Sequence, residues 1–146
     1  MAKNILAPVD GSKYMERNVT YACDIAKSMD AKLTLLHVVT LPEMMLPEPP
    51  LAGPAFPVDV KPFEQAGLEM LETARNVAQQ KGVHPETKLR TVFGNPAQAI
   101  IGAAETEKFD LVIIGAKGHS LLRNLTLGSV SDIVVHNAPC PVLVVR

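Results

Sequence analysis

Cysteine is scarce in this chain: Cys23 and Cys140 are the only two in 146 residues, and their separation matches no metal-ligand spacing. Cys23 falls on a helical apolar stripe and Cys140 lies between Pro139 and Pro141, so both are expected to be free thiols, buried or half-buried, in a reducing compartment. Neither sign of charge is in surplus. Fourteen basic against fifteen acidic side chains leave a formal net charge of −1, which argues against a nucleic-acid binder of the basic-patch kind. That balance still permits a local cationic spot for a small anion. No apolar run approaches the ~18–20 residues of a membrane span. The opening "MAKNILAPVDG" lacks the basic region and long apolar core of a signal peptide. A cytoplasmic protein without membrane insertion is therefore expected. The four histidines and the acidic residues form no metal-ligand spacing, and Ser12 and Ser129 have no evident base partner, so neither a dedicated metal cage nor a catalytic constellation is expected.

What is present is an ordinary globular composition, 47% hydrophobic and 20% charged, in a length that suits one domain over 1–146. A chain of this size buries roughly 68–70% of its extended surface and holds a core without staples. "NILAPV" reads as a short strand ending at the turn signal "DGS". From Glu16 to Met29, Val19, Ala22, Cys23, Ala26 and Met29 recur at helical steps. "KLTLLHVV" reads as a strand buried on both faces, with His37 a hydrogen-bonded core residue rather than a base.

Between Thr40 and Pro62 stand seven prolines, which rule out a long helix or a central strand there. Met44, Met45, Leu46, Leu51 and Phe56 give this excursion apolar surface to bury, either on its own domain or as a lid or partner contact. A second helix follows from about Pro62 to Lys81, with Gly82 as its stop. "TKLRTVF" alternates polar and apolar residues and suits an edge strand. Asn95 and Pro96 open a third helix as N-cap and first-turn residue, and Glu105 and Glu107 read as its solvated face. "LVIIG", a fourth helix from near Gly128, and "PVLVV" complete the chain, with His84 and His136 as surface or helix-end residues. Strand and helix alternate throughout, so the expected fold is α/β: a doubly wound five-stranded parallel sheet with helices on both faces.

Ligands of such sheets sit outside the carboxyl ends of the strands, where the winding reverses. Two strand ends carry suggestive residues: Asp10-Gly11-Ser12, and Gly115-Ala116-Lys117-Gly118. The mostly apolar first, second and fourth strands favour central places, which would face these two ends on one crevice. Glycine at 115 and 118 lets backbone amides approach a ligand. Gly128-Ser129-Val130 opens a helix whose free amides attract anions. Together they describe a phosphate cradle, with Lys117, His119 and Arg123 placed to add positive charge at its rim. The competing reading is that the glycines only make a turn and let helix and sheet pack. The pattern is neither G-x-x-x-x-G-K-[ST] nor G-x-G-x-x-G. A phosphoacceptor domain would need aspartate where the third strand ends in Phe93-Gly94-Asn95.

The spacing G-x2-G-x9-G-[ST], here Gly115, Gly118, Gly128 and Ser129, resembles the ATP-binding signature of the universal stress protein family. The likeness extends through "ILAPVDGS", "LTLLHVV", "GNPAQAI", "FDLVIIGAKG", "LGSVSDIVV" and "CPVLVV". It implies a Rossmann-like fold, a homodimer often joined through the last strands, and a nucleotide across the crevice: ATP, or ADP or AMP in its place. It also implies that Asp10 holds the ribose hydroxyls and that the backbone at Pro8, Val9 and Val38 borders the adenine. Ile114, Gly115 and Gly118 would line ribose and phosphates, and Gly128, Ser129 and Val130 would bind phosphates. Mg²⁺ or Mn²⁺ would arrive with the phosphates. The chain departs from the family pattern at Ala116, where serine, threonine or arginine is frequent, and in "HSLLRNLT", which lacks a frequent glycine. The implied function is an ATP-binding regulatory module in stress response, acting on an unknown protein partner. The alternative is a slow ATP hydrolase using the same cradle.

Overall fold

The computed structural model describes residues 2–45, 59–117 and 127–146. Among these residues five strands alternate with four α-helices. The elements are β1 (Asn4–Pro8), α1 (Met15–Met29), β2 (Lys32–Leu41), α2 (Lys61–Gln80), β3 (Glu86–Phe93), α3 (Ala97–Thr106), β4 (Leu111–Gly115), α4 (Ser129–Asn137) and β5 (Val142–Val145). A short 3-10 turn, Glu43–Met45, follows β2.

The strands form one parallel sheet in the order β3-β2-β1-β4-β5. The chain winds outward from β1 to β3, then returns to the other side of β1 to lay down β4 and β5. Right-handed crossovers put α1 and α2 on one face and α3 and α4 on the other. The half-polar β3 is at an edge and the apolar β1, β2 and β4 lie inside, as the alternation of residue types requires.

Because side chains alternate along a strand, neighbouring residues of β1 serve different cores. Ile5 and Ala7 pack with Val19, Ala22, Cys23 and Ala26 of α1 and Leu71, Ala74 and Ala78 of α2. Leu6 packs with Ile100, Ala103 and Ala104 of α3 and Val134 of α4. Gly67 brings α2 onto the sheet: a Cβ there would lie 2.8 Å from Val39 Cγ2 and 2.9 Å from Leu89 Cδ1. Both cysteines are free, Cys23 buried and Cys140 half-buried. Burial, then the charge of Asp24, pushes the Cys23 thiol up to about 11, so it stays protonated at neutral pH.

Helix ends follow local chemistry. Gly82 adopts φ +77°, its N–H reaches Gln79 O, and Val83 N–H reaches Ala78 O. That is the paired closure a left-handed glycine makes possible. Asn95 Oδ1 accepts the Ala97 N–H at 2.8 Å, although regular helix begins only at Ala97. One surface expectation needs correction. Glu107 is half-buried rather than fully solvated, because Lys88 and Arg90 of β3 reach across to its carboxylate. The long-range partner decides it, and helical periodicity carries no trace of that partner.

Candidate functional site

β1 and β4 lie side by side, yet the chain leaves them in opposite directions, α1 covering one face and α4 the other. A cleft of about 570 Å³ opens at their carboxyl ends. It is the reversal point at which doubly wound sheets take ligands.

On the β1 side the strand ladder ends when Val9 N–H reaches Leu36 O at 2.8 Å. Asp10 then turns the chain: its Oδ1 accepts the Ser12 N–H at 3.0 Å, and Ser12 Oγ accepts the Tyr14 N–H at 3.3 Å. The turn role and a ligand role are compatible, since Asp10 Oδ2 has no partner among the described residues. Asp10 is also the only carboxylate among the described residues that line the cleft.

On the β4 side, Ala116 N–H continues the ladder to Val145 O at 2.8 Å, and Gly128 N–H returns to Ala116 O at 2.6 Å. The buried Ser131 hydroxyl lies 3.0 Å from both Ala116 O and Gly128 O, fastening the start of α4 to the end of β4. Gly128 precedes α4 in an extended conformation, φ −68° and ψ 162°. No acceptor among the described residues meets the N–H groups of Ser129 and Val130, which head the helix beside the cleft. Free amides and the positive end of the helix dipole favour an anion at that place. Lys117 lines the same wall and supplies an ammonium.

Pro8, Val9, Asp10, Val38, Ile114, Gly115, Lys117, Gly128, Ser129 and Val130 thus all line one cleft. Gly118, His119 and Arg123 lie outside the described residues. Sequence reasoning did not single out Asn18, Phe63, Met70 or Ile100, nor the Ser131 fastening. Asn18 is one step off the buried stripe of α1, and its carboxamide occupies the space that a Gly115 side chain would need. Phe63 and Met70 come from α2 and Ile100 from α3, and they make much of the cleft apolar. Helical period marks such residues as inward but does not say which strand ends they overhang.

Comparison with known proteins places these features in context. The family model described as "Universal stress protein family" matches residues 1–146. The Thermus aquaticus protein named "Universal stress protein in QAH/OAS sulfhydrylase 3'region" is 37% identical over 150 residues, covering 100% of each chain. Among solved structures, universal stress protein UspA from Lactobacillus plantarum superposes with a TM-score of 0.72 at 29% identity, covering 99% of this chain and 98% of that one. A universal stress protein solved in complex with cAMP gives a TM-score of 0.70 at 26% identity, covering 99% and 97%.

Proposed function

Because the chain belongs to the universal stress protein family, we propose that it is a nucleotide-dependent regulatory module whose cleft binds an adenine nucleotide, with ATP as the first candidate. The observation that carries this reading is the pairing of unlike walls at one reversal point. The free amides of Ser129 and Val130 and the Lys117 ammonium suit phosphates. Asp10, with one oxygen unengaged, suits a pair of ribose hydroxyls. The apolar side chains of Val38 and Ile100 from one face of the sheet, and of Phe63 and Met70 from α2 on the other, suit a flat base. The cAMP complex of a related protein supports nucleotide binding.

No three His, Cys, Asp or Glu side chains converge among the described residues. A divalent ion carried by the phosphates would take its ligands largely from phosphate oxygens and water. Its chemistry would be charge neutralisation at the phosphates. The partly buried Val142, Leu143 and Val144 of β5 lie at the edge of the sheet, where a second copy of the chain would pair to form a homodimer.

Isothermal titration with ATP, ADP and AMP tests the binding reading. The native chain is expected to bind, and Asp10→Ala to lose about 10–100-fold, the range for a hydrogen bond to a charged group. Equal affinity in the two proteins ends the assignment of Asp10. Absence of binding by the native chain ends the nucleotide reading itself.

A further inference from the structure

His37 makes a contact that bears directly on the base wall of the cleft. In a parallel ladder, a residue that donates its N–H to one residue of the partner strand accepts, at its carbonyl, from the residue two places further on. Val9 donates to Leu36 O at 2.8 Å, so the next rung would run from Val38 N–H to Val9 O. That rung is not made. β1 ends at Pro8, and Val9 O is met at 2.9 Å by the ring nitrogen Nδ1 of His37. A carbonyl only accepts, so the ring carries its proton on Nδ1 and donates. Val9 O is thereby satisfied by a side chain. The Val38 N–H, directed toward the side that β1 has vacated, has no backbone acceptor among the described residues. Both Val9 and Val38 line the cleft, as does His37 itself.

We propose that His37 is a positioning residue for ligand recognition: by occupying the Val9 carbonyl it keeps the sheet from closing one rung further and presents the Val38 amide to an acceptor nitrogen of a purine base. The role rests on the nucleotide reading for its ligand, but the open rung belongs to the protein alone. Packing holds the ring in place, since its Cδ2 lies 3.1 Å from where a side chain on Gly67 of α2 would begin. The imidazole is therefore wedged between helix and sheet with one nitrogen committed to Val9.

Amide hydrogen exchange on the ligand-free protein, with His37→Leu and His37→Asn, tests the open rung. Leucine cannot donate, so Val38 N–H is expected to turn to Val9 O and its exchange to slow about tenfold, the scale of one net hydrogen bond. Asparagine places a carboxamide N–H where Nδ1 lies and is expected to keep Val38 exchanging as in the native chain. Val38 already protected in the native chain, or unchanged in His37→Leu, overturns the proposal.

Titration with AMP and with inorganic triphosphate supplies the second arm. His37→Leu is expected to weaken AMP about tenfold and leave triphosphate unchanged, with His37→Asn restoring AMP. Equal AMP affinity in His37→Leu and the native chain overturns the recognition role. A native chain that binds no AMP fails the nucleotide reading and the base contact together, while the exchange pattern still decides the open rung.

Discussion

At Gly115 a single hydrogen atom takes the place of a side chain, and Asn18 of α1 uses the room. A Cβ at 115 would overlap the Asn18 carboxamide, whose Oδ1 is already buried without a hydrogen-bond partner among the described residues. The two residues are therefore coupled across the first turns of α1 and the end of β4. Gly115→Ala is expected to cost about 1–3 kcal/mol, as overpacking of a filled site does. In an Asn18→Ala background the same change should cost less than about 1 kcal/mol, because the displaced group is gone. Urea denaturation of the four proteins checks this, and strictly additive costs would show that the residues do not compete for space. The sequence marked the glycine as a place of close approach by a ligand. The approach of Asn18 was hidden, since what Asn18 touches depends on the crossover that lays α1 against β4.

The same division between legible and hidden recurs among the elements. The α2 terminus could be read one residue at a time, because Gly82 after an apolar stripe is a local signal with a local cause. Gly82→Ala is expected to destabilise by about 1–2 kcal/mol, since alanine at φ +77° carries the left-handed penalty. Asp30, which ends α1 at φ 49° with the same paired closure, should tolerate or gain from glycine. Thermal unfolding of Gly82→Ala and Asp30→Gly reads both signs, and a loss in both would mean that closure geometry does not govern these ends. Strand order was legible for a similar reason: a strand buried on both faces cannot hide polar residues, so the alternating β3 had to take an edge. Glu107 was misread and Ser131 passed over, while His37 was read as hydrogen-bonded but without its acceptor. Their partners are Lys88 and Arg90, Ala116, and Val9, each brought near only by the sheet.

For the described residues as a whole, the sheet is the shared wall of two separate cores, one on each face. Leu71 belongs to the core under α1 and α2, and Leu6 to the core under α3 and α4; both are nearly or wholly buried. Leu71→Ala and Leu6→Ala are each expected to cost about 2–5 kcal/mol. Because every strand of the shared wall is held from its neighbours, both should move one and the same transition, with fluorescence and circular dichroism midpoints coinciding. Separate midpoints in either variant would show that the faces unfold independently. The fastening of Ala116 to Gly128 and Ser131 has a different reach. It knots together the two feet of the stretch that leaves β4 and returns to α4, so the feet stay put whatever length of chain runs between them. Lengthening such a tethered stretch twofold adds only about 0.6 kcal/mol of closure entropy. The length of the connection between Lys117 and Leu127 is thus a matter of closure entropy, separate from the packing that holds its two ends.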